Sequence, residues 1–364
     1  VKNLSRPAAE RRIEISTRAR FDTVAFASTL TAVPLEIQFT RAGIHLPQLG
    51  LWLDARKRIR GNERVFISHA HSDHIGPHDN VLLTAATSLF MRTRLPGQRN
   101  EQLLPFRERT EIQFGTEIFH LTALPAGHIL GSAMALIEWR DETLLYTGDF
   151  KLRPSLAAEA PEICRAQVLI TETTFGRPHY QFPEESHVRT QILDFCREAL
   201  ADGATPVLFG YSLGKSQEIL RGLADSNLPV MLQRDSRKMT RLYEKLGMTF
   251  PVHEPFDPAA APGKVLIAPP NSLRTLQLHT LGKIRTAAIT GWAMDSSCRF
   301  RSGTDAAFPL SDHADFDGLL QLIQEVQPAK VFTVHGFARE FAATLRERGV
   351  DAVAPGWHEQ LALF

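Results

Sequence analysis

Four potential metal ligands stand within six residues in the run Ser68-His69-Ala70-His71-Ser72-Asp73-His74. Neither a helix face nor a regular strand face turns His69, His71, Asp73 and His74 towards one point, because their spacing matches neither period; a tight loop does. Imidazole together with carboxylate suits Zn²⁺, Mn²⁺ or Fe²⁺ rather than Ca²⁺. The run follows Val65-Phe66-Ile67, a buried-strand pattern, so the chain is expected to leave a sheet directly into its ligands. Two later segments repeat the order. Pro125-Ala126-Gly127-His128 brings an imidazole after a glycine, and Thr147-Gly148-Asp149 brings a carboxylate directly after the apolar Leu144-Leu145-Tyr146.

These residues need a frame, and the chain reads as an α/β protein from about Leu35 onward. Val65–Ile67, Leu144–Tyr146, Val168–Ile170, Val207–Phe209, Val265–Ile267 and Val331–Val334 are the expected strands. Helical stripes fit 186–201, 215–224, 315–327 and 337–348. Proline clusters near 178–183 and 253–272 bracket a βα-rich block. Residues 1–33 form a basic, weakly periodic arm expected to be disordered.

Composition narrows the classes. At 364 residues the length suits two domains, and 43% hydrophobic with 22% charged residues excludes collagen-like and largely disordered chains. Lys and Arg number 41 against 40 acidic residues, a formal +1, so no global field drives binding to a polyanion. Three dispersed cysteines support neither a disulfide framework nor a thiolate zinc site, and no apolar stretch approaches a membrane span. A cytoplasmic protein without membrane contact is expected.

With Asp54, the cluster at 69–74, His128 and Asp149 in that order, the chain resembles the metallo-β-lactamase fold. Downstream, Thr171-Glu172-Thr173-Thr174-Phe175-Gly176, Ser311-Asp312-His313-Ala314-Asp315 and Val334-His335-Gly336 are similar to the additional motifs of its β-CASP branch of nucleic-acid nucleases. The resemblance implies a four-layer αββα sandwich with an inserted β-CASP α/β domain. It divides the chain into 34–177, the insert at 178–288, and a returning 289–364.

It also implies roles. His69, His71 and His128 would hold one divalent ion, Asp73, His74 and His335 a second, with Asp149 between them; zinc comes first and manganese next. Two cations about 3.5–4 Å apart neutralise both the attacking and the leaving oxygen of a phosphoryl displacement. His313 matches the family's general acid, with Glu172 holding its tautomer, and Asp73 joins them as a catalytic residue. Asp54 reads as a group that hydrogen-bonds a ligand rather than as a ligand.

Phe209-Gly210-Tyr211-Ser212-Leu213-Gly214-Lys215-Ser216 resembles a P-loop but leaves three residues where Walker A needs four, so ATP binding is rejected. Lys215 is still expected to steady a substrate phosphate at a helix start. Arg56, Lys57, Arg58, Arg60 and Arg64, and Arg234, Arg237, Lys238, Arg241 and Lys245, are solvated faces unless some line a cleft.

The expectation is a metal-dependent phosphodiesterase. Single-stranded DNA is the preferred substrate and RNA the alternative. His335 favours RNA, because the family's eukaryotic DNA-processing members carry valine there. The motif wording as a whole is similar to bacterial exonuclease-like proteins associated with DNA ligases, which favours DNA end processing and, by resemblance only, ligase or repair partners. Two other classes compete. A lactamase-like or glyoxalase-like small-molecule hydrolase leaves Glu172 and His313 without work, and a non-catalytic scaffold leaves the intact ligand set without work.

Overall fold

A computed structural model of the chain describes residues 34–272 and 281–356; the expected arm at 1–33 lies outside the described residues. The first sheet is laid down in sequence order: β1 (Gln38–Thr40), β2 (Gly43–Leu46), β3 (Leu51–Leu53), β4 (Arg64–Phe66), β5 (Asn80–Leu83) and β6 (Asn100–Leu103). It is antiparallel through β3 and parallel afterwards. Helix α1 (Ala85–Arg94) makes the crossover from β5 to β6, and the Thr84 side chain accepts the Thr87 N–H to start it.

The second sheet begins as a meander of β7 (Arg109–Phe114), β8 (Glu117–Pro125), β9 (Ala133–Trp139) and β10 (Glu142–Tyr146), followed by β11 (Val168–Glu172) parallel to β10. The chain then builds a third, wholly parallel sheet. Its elements are α2 (Glu185–Ala201), β12 (Thr205–Phe209), α3 (Lys215–Gly222), β13 (Val230–Leu232), α4 (Arg234–Lys245), β14 (His253–Pro255), β15 (Val265–Ala268), β16 (Ile284–Ile289), α5 (Cys298–Ser302) and β17 (Ala306–Phe308). The strand order is β14-β13-β15-β12-β16-β17. β12 and β15 are buried on both faces, which is why they read as unbroken apolar runs. The last strand falls beyond residue 288, the bound that the resemblance gave the insert; Ala306-Ala307-Phe308 is too short a run to announce itself. The chain finally returns to the second sheet with α6 (Phe316–Val326), β18 (Lys330–Val334) beside β11, α7 (Ala338–Glu347) and β19 (Ala352–Val353).

Packing stacks these elements in four layers. Leu51, Leu53, Phe66 and Leu82 of the first sheet meet Phe119, Leu121, Ile137, Leu144 and Tyr146 of the second in one core. Strand alternation turns Leu145, Leu169 and Val331 to the opposite face, where α6 and α7 cover them with Leu319, Leu322, Phe341 and Leu345. On the far side of the first sheet, Phe90 and Met91 of α1 cover Val65, Val81 and Leu83, and Met239, Leu242 and Tyr243 of α4 join that cluster. Each of these buried large side chains contributes about 1.5–3 kcal/mol by leaving water. The result is the expected αββα order. Among the described residues no helix is long and apolar enough to cross a membrane.

One consequence of the pairing matters for chemistry. β8, β10, β11 and β18 run in the same direction, so the segments bearing His128, Asp149, Glu172 and His335 emerge at one edge of the sheet.

Candidate metal centre

The loop after β4 is pinned to both sheets: the Ile67 N–H donates to Leu82 O (2.9 Å) and the Ala133 N–H to Ser68 O (2.8 Å). The turn after β10 packs against it so closely that a β-carbon on Gly148 (φ +55) would lie 2.5 Å from Ser68 Cβ. Only glycine lets Asp149 approach the histidines this way. On the far side His335 and Gly336 have φ of 59° and 52° in succession, and a β-carbon on Gly336 would lie 2.4 Å from Thr173 O. A histidine held in the left-handed region costs about 1 kcal/mol or more, a strain that clusters at functional sites.

Three rings converge. His69 Nε2 and His128 Nε2 each lie 3.0 Å from His71 Nδ1. Their outer nitrogens are all engaged. His71 Nε2–H donates to Leu213 O (3.1 Å) and His128 Nδ1–H to Asp312 O (2.7 Å). His69 Nδ1–H donates to Ser68 Oγ (3.0 Å), whose own proton goes to Asp54 Oδ2 (2.5 Å). A neutral imidazole has one N–H, so the three inner nitrogens present lone pairs to one another. Burial, above all, keeps the rings uncharged: it holds His69 well below the usual histidine range, lowers His71, and takes His128 down to about 3 with help from His313. Lone pairs facing each other at 3.0 Å repel unless a cation sits among them, so this donor set fits a divalent metal ion, with each ring oriented by the acceptor behind it.

Asp149 Oδ2 joins the set, 3.5 Å from His69 Nε2, 3.8 Å from His128 Nε2 and 3.3 Å from His74 Nε2. Burial alone would raise its pKa, yet His74, His313 and His69 hold the carboxyl well below the usual range. On its other side His74 donates from Nδ1 to Asp54 Oδ2 (2.7 Å), and its Nε2 lies 3.7 Å from Asp73 Oδ2. Burial disfavours the His74 imidazolium, but Asp149, Asp73 and Asp54 outweigh it and raise the pKa well above normal. Asp73 and His335 stand further out. The Asp73 side chain is 32% exposed, and the His335 ring centroid is 6.0 Å from that of His74. His69, His71, His128 and Asp149 thus form one tight set of donors that could hold a metal ion, whereas Asp73 and His335 flank His74 outside any such set among the described residues.

Asp54 itself accepts four hydrogen bonds, from the Ser68 N–H and hydroxyl, His74 and the Tyr146 hydroxyl (2.8 Å). Those bonds orient Ser68, His74 and Tyr146 around it, and its carboxylate also lies with His69 and His74 in a group that could hold an ion. Tyr146 and Ser68 were not singled out from sequence, since neither residue type signals such a role.

His313 lies beside the tight set, with Nδ1–H donating to Glu172 Oε1 (2.8 Å) and Nε2 4.0 Å from Asp149 Oδ2. Glu172, at the end of β11, is buried and fixed by the Phe150 N–H (3.1 Å), the Thr174 N–H (3.1 Å) and the Thr174 hydroxyl. Burial works against the His313 cation, but Glu172 and then Asp149 push its pKa up to about 10. Both carboxylates favour the protonated ring, whose Nε2 faces the cluster.

Lys215 corrects an expectation. Its side chain is 2% exposed and turns inward: Nζ donates to Leu310 O (2.8 Å) and lies 3.4 Å from Asp312 Oδ1. It clamps the loop that carries the carbonyl behind His128 and does not face a substrate phosphate. The first basic run is also sorted by the fold, with Arg58 paired to Asp79 (2.8 Å) and Arg64 donating to Gln113 O (2.9 Å).

Comparison with known proteins adds ancestry to this geometry. The metallo-beta-lactamase superfamily profile matches residues 42–227, and a Zn-dependent metallo-hydrolase RNA specificity domain matches 306–355. A probable DNA ligase of Opitutus terrae is 49% identical over 332 residues, which is 91% of this chain and 32% of that protein. The chain therefore spans about a third of that relative's length. A probable RNase of Methanocaldococcus jannaschii is 24% identical over 388 residues, covering 84% of this chain and 89% of that one. Among solved structures, a protein of unknown function from Enterococcus faecalis V583 superposes with a TM-score of 0.53 at 14% identity, covering 80% and 79% of the two chains; that likeness concerns the fold alone.

Proposed function

Because this chain belongs to the metallo-β-lactamase superfamily, in its β-CASP branch, we propose that it hydrolyses phosphodiester bonds of nucleic acid with two divalent metal ions. The observation that carries the reading is the convergence of three imidazoles and Asp149 beside His313, whose Nδ1 rests on Glu172. His69, His71, His128 and Asp149 would hold one ion, and Asp73, His74, His335 and Asp149 the other, zinc in preference to manganese. Such ions supply Lewis acidity towards a phosphoryl oxygen and make water acidic enough to attack near neutral pH.

The protein's own groups supply the rest. His313 holds on Nε2 the proton that the departing ribose oxygen requires, and Glu172 keeps that ring in the tautomer and orientation for delivery. Lys215, through the loop at 310–312, keeps the Asp312 carbonyl on His128. The segment carrying the third sheet is the inserted β-CASP domain in this reading.

The preferred substrate is single-stranded DNA at an end that needs processing. The ligase name of the Opitutus terrae relative supports a role beside a DNA ligase. The second reading, RNA processing, is favoured by His335 and by the match at 306–355. Incubating end-labelled single-stranded DNA and RNA of one sequence with Zn²⁺ or Mn²⁺ separates them. Faster cleavage of DNA supports end processing, faster cleavage of RNA supports the second reading, and inertness towards both removes the nuclease proposal. His313→Ala is expected to lower turnover by roughly a hundredfold with the metal content unchanged; full activity would remove His313 as the proton donor.

A further inference from the structure

A cleft of about 60 Å³ opens beside the metal centre, between the β1–β2 turn, the segment after β3 and the end of β18. Asp73, His74, His335, Phe39, Arg41 and Arg56 are among the residues that line it, and both arginines are exposed. Their backbones belong to one neighbourhood: the Arg56 backbone N–H donates to Ala42 O (2.6 Å), and Thr40 Oγ1 bridges the turn by accepting the Ala42 N–H (3.2 Å) and donating to Gly43 O (3.1 Å). Other arginines are taken up, Arg58 by Asp79, Arg64 by a carbonyl and Arg109 by Glu138. Among the described residues neither Arg41 nor Arg56 forms an ion pair, and Asp54, which also lines the cleft, accepts four hydrogen bonds from other groups.

We propose that this cleft seats the sugar-phosphate backbone of the substrate strand, with Arg41 and Arg56 each contacting a phosphate. The inference rests on the nuclease reading and adds to it a place and a direction. Arginine suits the task because its planar fork matches phosphate oxygens and its charge does not titrate. Glu172 and His313 do not line the cleft. The leaving oxygen must face His313, so the cleft takes the part of the strand on the other side of the scissile bond, which keeps the phosphate. Phe39 offers an apolar surface beside that backbone path. The near-zero net charge of the chain then has its local exception where a polyanion must enter.

The test is binding of a fluorescent short single strand to protein carrying His313→Ala, so that the strand survives, measured by anisotropy over a range of salt. Arg41→Gln and Arg56→Gln should each weaken binding about tenfold, alike for every base sequence. Each should also lower the slope of log affinity against log salt by about 0.7. Arg41→Lys and Arg56→Lys, which keep the charge, should restore the slope. Lys57→Gln with Arg60→Gln, on the same segment but outside the cleft, should leave it unchanged. A wild-type slope in the Arg41→Gln, Arg56→Gln pair, or an equal loss in the Lys57, Arg60 control, overturns the cleft assignment while leaving the nuclease reading intact if the parent protein cleaves strands. A parent protein that neither binds nor cleaves DNA or RNA overturns both. Wild-type competition by inorganic phosphate as strong as by the strand would mark a site for free phosphate and overturn the backbone assignment.

Discussion

His71 and His128 rest their outer N–H groups on the carbonyls of Leu213 and Asp312, 142 and 184 residues away, whereas His74 rests on Asp54, only 20 residues upstream. The two halves of the cluster are therefore held by different parts of the chain. The three-imidazole half closes only when the third-sheet segment has folded and Lys215 has clamped the loop at 310–312. In the other half, Asp73 and His74 follow the first sheet while His335 is delivered by β18 of the second, and all three line the open cleft. The first half is dry and built from neutral donors with one carboxylate. The second has more carboxylates around it, Asp54, Asp73 and Asp149, and is open to solvent at Asp73. The difference teaches that, if the proposed two ions bind, the one in the three-imidazole half is expected to be held more tightly than the other.

Asp149, facing both halves, gives the largest effect. Asp149→Asn should lower kcat/KM on the order of a thousandfold and reduce bound metal in both halves by mass spectrometry; loss from one half only would break the symmetry assumed for Asp149. Lys215→Met should follow, because it leaves the Asp312 carboxylate without its buried cation. A loss of about 3 kcal/mol in denaturant unfolding is expected, with metal lost from the three-imidazole half. A raised KM with unchanged stability would instead return Lys215 to phosphate binding.

Asp54→Asn should weaken metal affinity roughly 10–100-fold, and mostly in the His74 half, since Asp54 reaches His69 only through Ser68. Chelator titration of this variant should show one ion leaving early, and equal release from both halves would erase the contrast. Glu172→Gln gives the smallest effect and a definite sign. Glu172 raises the His313 pKa towards about 10, so removing its charge lets the proton leave at lower pH. The alkaline limb of the kcat profile should move down by at least about one unit. A limb that stays in place would mean that another group donates.

Much of this was legible in the residues. The strand and helix patterns lie within a few residues of the observed elements, as with β18 (Lys330–Val334) and α7 (Ala338–Glu347), because burial on one face or both leaves a period in the sequence. The proximity of His69, His71 and His74 follows from spacing, and their partnership with His128 and Asp149 from the ordered motifs. The inward turn of Lys215 was not legible, since a lysine after glycine at a helix start looks the same whether it points to a phosphate or to a carbonyl 95 residues away. Nor was the place of Arg56, one of five basic residues in a short run, of which the fold turns one into the cleft.

The sequence by itself determined which residue types meet: imidazoles and carboxylates placed after strands, at positions where local backbone geometry alone delivers them to a sheet edge. Tertiary structure alone decided which nitrogen of each ring faces inward, because that choice belongs to the acceptor behind the ring. Those acceptors are the carbonyls of Leu213 and Asp312, the Ser68 hydroxyl and the Asp54 carboxylate. Backbone carbonyls are common to every residue and carry no mark in a sequence, so only the folded chain shows which of them orient the site.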